Sequence, residues 1–300
     1  MMLKGTYVFK QNGQEIGHSE NIITTNGTNA ILQYLSNSSF EWASTIAIGA
    51  IASTPGLSEL SLKYEVARSA VTMKSYKTGT PNLIIVKGTV ASSIAANIYE
   101  IGIFSYKTGQ VFGTRDQLII SDFSDLTKWL TSSGTAYTTN SFAAQANYSP
   151  RIGLYSVNIP TNSTIINSNL SLDLSSYSLI DTLEVLANIP VGSAGNLIAT
   201  LTDINGSTSV ITFPFNGAVT SGYQVLSQYF TSAISNLSTV STLSLQTSGT
   251  TSNIVVDAIK ISLLGELSSS TGIVSRSMLT TPIAKIYGTP LDIEYYVQLS

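Results

Sequence analysis

The sequence predicts an all-β protein in which one β-sandwich domain is inserted into another. Residues 101–115 (IGIFSYKTGQVFGTR) and 271–276 (TGIVSR) contain two copies of one turn-into-strand phrase, each ending in an arginine. Between them, short aromatic and β-branched runs alternate with Ser, Thr, Asn and Gly turns, a spacing typical of antiparallel sandwiches. Because an inserted domain keeps its two ends close together on its host, this arrangement suits display rather than catalysis.

Residues 1–115 and 266–300 form the predicted attachment domain, a β-sandwich with one short helix. A hairpin is predicted over 3–10 and 15–24, which alternate apolar and polar residues around a QNGQ turn. Asn26-Gly27-Thr28 offers a helix start before an apolar stretch. The other predicted strands are 45–50, 62–73, 82–91, 97–105, 281–285 and 291–299, of which 62–73 also fits helical periodicity.

Residues 116–265 form the predicted insert, an antiparallel sandwich. Segments such as RIGLYSVNIP, NLIATLTDING, YQVLSQYF and NIVVDAIKISLL read as its strands, because each is apolar or aromatic and ends in turn residues. Between Lys128 and Lys260 the only basic residue is Arg151, so this segment does not steer anionic ligands electrostatically.

The amino-acid composition argues against several classes of function. Charged residues make up 10% of the chain, the net charge is −3, and there is one His and no Cys. Sparse Lys and Arg argue against a nucleic-acid partner, and the lack of Cys excludes a zinc site of the usual kind. No signal segment and no membrane-length apolar run is visible, so we expect synthesis in a cytoplasm and no membrane insertion. Unpaired β edges on a charge-poor surface favour homo-oligomers.

No residue pattern indicates catalysis. His18 and Ser19 are adjacent in a predicted strand and point to opposite faces, so they do not form a base and nucleophile pair. Glycoside hydrolysis needs two carboxyl groups facing each other across a cleft. The acids in the middle of the insert lack such a context; they are Asp173, Asp181, Glu184 and Asp203. We therefore predict that the protein is not an enzyme.

Calcium is the one metal the sequence leaves open. Asp122, Asp125 and Asp257 would lie near each other if the first and last strands of the insert pair, and backbone carbonyls would complete an oxygen shell. The alternative, which we favour, is that Asp122 and Asp125 cap turns.

Neutral glycans are the ligands that best fit the insert, because they are bound by aromatic stacking and by hydroxyl and amide hydrogen bonds. The predicted binding residues are Tyr137, Asn140, Asn147 and Tyr148, which lie in Ser/Thr/Asn-rich stretches that read as loops. Tyr155 is a further candidate, whereas Tyr223 and Tyr229 lie in a predicted strand and are interpreted as structural.

Four ionisable residues lie within apolar strands of the attachment domain. They are Glu65, Arg68, Glu100 and Lys285. Because buried charges need partners, we expect them to pair within the domain or across a subunit boundary. The alternative is that they face solvent on half-exposed strands.

Four phrases, in order, give the attachment domain a resemblance to a known family. They are IAIGA at 46–50, LKYEVAR at 62–68, YEIGIF at 99–104 with TGQVFGTR after it, and TPIAKIYGTPLDIEYYVQL at 281–299. Together they resemble the amino-terminal domain of P2-type bacteriophage tail-fibre proteins. That family runs directly from the EIGIF hairpin into the lysine strand, whereas here the insert intervenes. The chain also stops after the closing strand, which favours a compact decoration, baseplate or short spike protein.

The insert is similar to the galactose-binding-like jelly rolls of carbohydrate-binding modules. ISDFSDLTKW at 120–129 resembles their opening strand, and NIVVDAIKISLL at 253–264 resembles their closing strand. Together the two resemblances imply a structural protein of a tailed-bacteriophage virion. It would bind other virion proteins and display a β-sandwich, with adhesion to host glycans as one use. The alternative is a secreted or cell-surface carbohydrate-binding protein with no virion role.

Overall fold

The computed structural model describes residues 3–36, 40–79, 82–107, 118–141, 150–175, 177, 181–216, 222–230, 239–262 and 272–299. Within these residues the structure is almost entirely β-strand, with one α-helix and one 3₁₀ helix, which confirms the predicted all-β class. None of the described helices is long and apolar enough to cross a membrane. The chain divides into two compact units: a carrier unit, Met1–Val111 with Glu266–Ser300, and an insert unit, Phe112–Gly265.

The elements follow one another in chain order as nineteen strands and two helices within the described residues. They are β1 (Leu3–Gln11), β2 (Gln14–Glu20), β3 (Ile22–Ile23), α1 (Thr25–Leu35), β4 (Phe40–Gly49), β5 (Glu65–Lys77), β6 (Leu83–Val90), β7 (Ala96–Lys107), β8 (Leu118–Ser121), the 3₁₀ helix (Leu126–Lys128), β9 (Trp129–Leu130), β10 (Val157–Ile159), β11 (Thr164–Asn167), β12 (Thr182–Ile189), β13 (Ala194–Asp203), β14 (Thr208–Asn216), β15 (Gly222–Tyr229), β16 (Val240–Ser248), β17 (Ile254–Ser262), β18 (Ile273–Lys285) and β19 (Leu291–Leu299).

The carrier unit contains one nine-stranded sheet in the order β2-β1-β19-β6-β5-β4-β7-β18-β3. The segment that also fitted helical periodicity is the strand β5, which pairs with β4 through its first half and with β6 through its second half. The sheet therefore folds over at β5 into two layers. Tyr7 of β1 stacks on Tyr295 of β19 at 4.5 Å and donates a hydrogen bond to the carbonyl of Ser275 in the other layer, at 3.2 Å.

Helix α1 starts where the sequence predicts a helix. Thr24 is its N-cap: its hydroxyl oxygen accepts a hydrogen bond from the Gly27 amide at 2.9 Å and its hydroxyl donates to the carbonyl of Ile273 at 2.5 Å. A Cβ at Gly27 would lie 2.0 Å from the carbonyl oxygen of Val274, so no other residue fits there. The cap and the glycine together attach α1 to β18.

A charged network lies in the interior of the carrier unit. The Arg276 side chain has no exposed surface and donates to Glu100 from Nη2 at 2.5 Å and from Nε at 3.1 Å; it also contacts Glu59 and Ser53. Burial raises the pKa of Glu100, and the charge of Arg276 opposes that rise. A Cβ at Gly49 would lie 2.4 Å from the Glu100 carboxylate, which explains the glycine in the IAIGA phrase.

The other ionisable residues within apolar strands differ in their partners. Arg68 donates two hydrogen bonds to Glu65, at 2.7 and 2.6 Å, and its guanidinium lies 3.8 Å from the centre of the Phe104 ring. Lys285 is a correction to the expected ion pairing, since its ammonium donates to the carbonyls of Ile94 and Ile286, both at 2.9 Å. No carboxylate partner of Lys285 occurs among the described residues.

The insert unit is a sandwich of two sheets. One has the order β10-β17-β12-β15, with β8 also pairing with β17, and the other has the order β14-β13-β16-β11-β9. Their facing side chains share one apolar core, to which Val185 and Ile259 contribute from the first sheet and Leu201 and Phe213 from the second. We call the first sheet the β12 sheet and the second the β13 sheet.

Antiparallel strand pairs flank the insertion in both units. In the carrier unit β7 and β18 pair, with Phe104 opposite Ile273. In the insert unit β8 and β17 pair, with Leu118 opposite Ile261. The first and last strands of the insert therefore lie side by side, as the sequence predicts, and a sandwich with adjacent ends can replace a turn between two strands.

The carrier unit should fold without the insert, because its flanking strands pair with each other and its core lies within the unit. We expect that a chain in which a short Gly/Ser linker replaces Phe112–Gly265 shows a β-rich circular dichroism spectrum and one cooperative thermal transition. A chain that stays unfolded would contradict this.

Arg276 should be among the most sensitive positions of the carrier unit. The change Arg276→Met leaves the Glu100 carboxylate buried without its counter-charge, which costs about 3–5 kcal/mol of unfolding free energy. The control is Lys74→Met, whose more exposed ion pair with Glu41 at 3.3 Å contributes less than about 1 kcal/mol. Urea denaturation of both variants checks the difference, and equal losses would show that the buried pair has no special role.

Candidate functional site

The predicted loop site is only partly where the sequence places it. Tyr137 is fully buried, so its expected surface position is wrong. Its amide donates to the carbonyl of Trp129 and its hydroxyl to the carbonyl of Asn158, at 3.4 Å, and burial raises its pKa. The backbone bond folds this segment onto β9 and points the ring into the core. Asn140 is exposed, whereas Asn147 and Tyr148 lie outside the described residues.

The remaining tyrosines of the insert unit have different surroundings. Tyr155 packs against the apolar core. Tyr229, at the end of β15, is 57% exposed. Tyr223, at the start of β15, is half-buried and lies on the outer face of its sheet, because the alternate residue Leu226 belongs to the core. Tyr223 is therefore the leading aromatic candidate for contact with a ligand. This differs from its interpretation as a structural residue of a predicted strand.

A row of uncharged side chains crosses the outer face of the β12 sheet. Strand register places Asn158 of β10 opposite Val255 of β17, Val255 opposite Asn188 of β12, and Asn188 opposite Tyr223 of β15. All four are half-buried, and the neighbours of Asn158, Val255 and Asn188 along their strands belong to the core. We call these four residues the amide–tyrosine row. Since neighbouring strands lie about 4.8 Å apart, the row is about 14 Å long.

Arg151 fixes one end of the row. Its guanidinium lies 5.3 Å from the centre of the Tyr223 ring, a cation–π distance. Its amide donates to Asp257 Oδ2 at 2.8 Å, as does the next amide, that of Ile152, at 3.1 Å. The closing strand β17 thus holds the segment that carries Arg151, and Arg151 in turn restrains the tyrosine ring.

Two opposite charges on this face form an ion pair. Lys260 of β17 is 2% exposed, and its ammonium lies 3.4 Å from the carboxylate of Glu184 on β12. In the strand register these two residues are opposite each other. The face therefore offers amides and an aromatic ring, and its two acids differ: Glu184 is paired with Lys260, whereas Asp257 accepts hydrogen bonds from the amides of Arg151 and Ile152. This chemistry fits a neutral, hydroxyl-rich ligand.

The insert acids considered for hydrolysis have structural partners. Asp173 accepts a hydrogen bond from the Ser175 amide at 2.9 Å, and Asp203 accepts from the amides of Asn205 and Ser207 at 2.8 and 2.9 Å. Asp181 is fully buried. In the carrier unit, His18 is exposed and lies 3.1 Å from Glu15. These contacts are typical of turns and surface pairs and show no acid pair placed across a cleft.

Two of the three proposed calcium ligands lie close enough to interact. The described residues contain no cluster of three or more acidic or histidine side chains of metal-binding type. Asp125 instead caps the 3₁₀ helix, accepting from the amide and the hydroxyl of Thr127 at 3.1 and 2.6 Å. Asp122 accepts from the Ser124 amide at 3.0 Å, and its charge helps to raise the pKa of Asp257.

Of the three proposed calcium ligands, Asp257 is the one whose surroundings suit a bound cation. It is fully buried, and its Oδ1 has no hydrogen-bond partner within the described residues. Burial first, and Asp122 in addition, raise its pKa to about 8 although the amides of Arg151 and Ile152 oppose the rise. Asp257 and Asp122 would hold a calcium ion, together with backbone carbonyls. The ion would add to the positive charge of Arg151, which opposes the rise in the pKa of Asp257 but does not cancel it.

No model of a protein family matches the chain, and no curated protein matches it. Solved structures similar to it include an exo-beta-agarase (11% identity, TM-score 0.34, 51% of this chain and 26% of that chain). Another is a xylan-binding domain of carbohydrate-binding module family 22 (10% identity, TM-score 0.33, 50% and 96%). A third is a family 11 carbohydrate-binding module from Clostridium thermocellum in complex with a beta-1,3-1,4-mixed-linked tetrasaccharide (11% identity, TM-score 0.32, 48% and 94%).

This chain covers about a quarter of the exo-beta-agarase, 26% of its length. At these identities and TM-scores the comparisons assign no family and no activity. The all-β class follows from the strands of this protein itself, and its site must be argued from its own residues. The resemblance to tail-fibre domains stays a prediction from the sequence.

The raised pKa of Asp257 gives the insert unit a defined pH dependence when calcium is chelated. An acid whose pKa is higher in the folded state stabilises the fold at low pH, and that contribution is lost as pH rises through about 8. We expect the difference in unfolding free energy between the wild type and Asp257→Asn to shift against the wild type between about pH 4 and pH 8.

Calcium provides the second half of this experiment. If the ion binds, millimolar calcium raises the melting temperature of the wild type at pH 8 and leaves that of Asp257→Asn unchanged. Asp125→Asn is the matched control and should respond like the wild type, because Asp125 caps a helix. An unchanged wild-type melting temperature would refute the calcium site.

Proposed function

We propose that the protein is a non-catalytic adhesion protein that binds neutral glycans through the amide–tyrosine row of its insert unit. The observation that carries this proposal is the row itself. Two amide side chains, Asn158 and Asn188, and the ring of Tyr223 lie on three strands of one sheet, with Val255 of a fourth strand between the two amides. Rigid strands hold these groups at fixed spacing, which reduces the entropy lost on binding.

The chemistry of the row favours sugars without charge. Amide side chains both donate and accept hydrogen bonds, which suits vicinal hydroxyls, and a tyrosine ring offers a stacking surface. Arg151 lies beside the row, with its guanidinium against the Tyr223 ring and its charge close enough to lower the pKa of Asp257. The chain also carries a net charge of −3, which does not attract anionic ligands.

The biological setting that we propose is the virion of a tailed bacteriophage. Support comes from the four phrases of the carrier unit that resemble P2-type tail-fibre domains, and from an insert flanked by paired strands in both units. In this setting the carrier unit binds other virion proteins and the insert unit contacts a glycan of the host surface. The competing proposal is a secreted or cell-surface carbohydrate-binding protein with no virion role.

Glycan binding is tested with the full chain on an array of neutral gluco-, xylo- and galacto-oligosaccharides, followed by calorimetry on any sugar that binds. Tyr223→Ala should weaken binding about tenfold, because it removes the stacking ring, and Asn188→Ala should weaken it by a similar factor, because it removes an amide hydrogen bond. Tyr76→Ala is the control, since Tyr76 is 62% exposed on the carrier unit. Absence of binding, or equal effects of all three changes, would refute the site.

The virion setting is tested separately by immunogold electron microscopy on purified phage particles, with antibody raised against Phe112–Gly265. Gold at one defined position on the particle would support the virion role and locate the protein on capsid, tail or baseplate. No label on intact or disrupted particles would refute that role. Glycan binding alone would then support the secreted or cell-surface alternative.

A further inference from the structure

Strand β15 lies at the end of its sheet. It pairs with β12 along its whole length, from Thr182 opposite Tyr229 to Ile189 opposite Gly222, and with no other strand of the described part of the chain. Ser227 and Tyr229 are exposed, and the residues from Gly222 to Val225 are half-buried. Within the described residues β15 is therefore an end strand of its sheet, a position that a further strand can extend.

The sequence of β15 is nearly palindromic. It reads Tyr-Gln-Val-Leu-Ser-Gln-Tyr from residue 223 to 229, with Leu226 at its centre. If two copies pair antiparallel about a twofold axis at Leu226, each Tyr223 faces a Tyr229 and each Gln224 faces a Gln228. Val225 then faces Ser227, and Leu226 faces its own copy. Aromatic pairs opposite each other across two strands stabilise a sheet, and no like charges meet in this register.

We infer that β15 pairs with β15 of a second copy of the chain, which joins two five-stranded β12 sheets into one continuous sheet of a twofold-symmetric dimer. A twofold interface brings identical surfaces together, so a self-complementary strand meets its own complement. The occupant is a second copy because the residue order of β15 matches itself in reverse. An unrelated strand would not be selected by that property.

The neighbouring end strand, β14 of the other sheet, contrasts with β15. Strand β14 ends the β13 sheet and contains Pro214, which lacks an amide hydrogen and blocks strand addition. Strand β15 contains no proline and no charged residue, the two devices that proteins use to protect free edges. Of these two strands, which contact each other in the insert unit, only β15 is left open to pairing.

Pairing would also extend the amide–tyrosine row, a consequence that depends on the proposed glycan-binding function. Tyr223 lies at the β15 end of the row, and the odd-numbered residues of β15 share the outer face with it. In the dimer, the partner's Tyr229 lies opposite Tyr223 and supplies a second aromatic ring to the same face. Each site would then contain one residue from the other subunit.

The oligomeric state of the full chain tests the inference. Sedimentation velocity over a hundredfold concentration range should show a dimer for the wild type. Ser227→Lys should weaken dimerisation about tenfold, because an exposed lysine on the paired edge opposes strand addition and occurs twice in the dimer. Thr212→Lys on β14 is the matched control and should dimerise like the wild type. A monomeric wild type, or a dimer unaffected by Ser227→Lys, would overturn the inference.

A crosslink tests the register itself, since the chain contains no cysteine. The double change Val225→Cys with Ser227→Cys places thiols opposite each other across the twofold axis, within reach of a disulfide. Mild oxidation should give a covalent dimer, whereas Val210→Cys with Thr212→Cys on β14 should not. A dimer that binds no glycan would refute only the proposed function, and a monomer that binds glycan would refute only the inference.

Discussion

A guanidinium with no exposed surface needs its counter-charge inside the protein, and Arg276 has it in Glu100. The two residues lie on β18 and β7, the strands that flank the insert, in the register that places Arg276 opposite Gly102. Gly49 leaves room for the carboxylate, and the amides of Lys63 and Tyr64 donate to it at 3.0 and 2.9 Å. Burying such a pair stabilises little by itself, but leaving either partner alone is costly. The network therefore selects one register for the two strands between which the whole insert unit is placed.

Much of this fold could be predicted because β-strands have recognisable local sequence patterns. Alternating apolar residues identified the strands of both units, the turn residues separated them, and the repeated phrase with Arg115 and Arg276 marked the two ends of the insertion. The partners of buried charges are a different matter. Glu100 and Arg276 are separated by the entire insert. The residues around either one therefore do not predict that the two side chains form an ion pair. For the same reason Lys285 was expected to pair with a carboxylate, whereas two carbonyl groups of nearby turns satisfy it.

The candidate site shows the same limit. Tyr137 was placed on the surface because Ser, Thr and Asn surround it, but composition does not tell which loop folds back onto a strand. The hydrogen bond from its amide to Trp129 turns the ring inward. Tyr223 differs from its sequence interpretation in the opposite direction: it reads as structural but lies on the outer face. A residue within a strand faces the core or the solvent according to its position in the alternation, and the sequence alone does not give that position. Only the burial of Leu226, three residues later, shows that Tyr223 points outward. Alternating residues along β15 indicate that the strand has two different faces, but only the packing of the sheet shows which face is buried.

A surface with few charges has limited means of recognition. It must use main-chain hydrogen-bonding groups, amides, hydroxyls and aromatic rings, all of which act at short range and require rigid placement. The β12 sheet concentrates such groups: Asn158 and Asn188 lie within it, and β15 adds both Tyr223 and an open edge. Strand β15 thus contributes to the proposed amide–tyrosine row and also forms an edge of the β12 sheet. Because the groups are uncharged, a second copy would meet no charge repulsion at that edge, and pairing would extend the proposed ligand face. Recognition of a sugar and association of two chains would then depend on the same seven residues of β15.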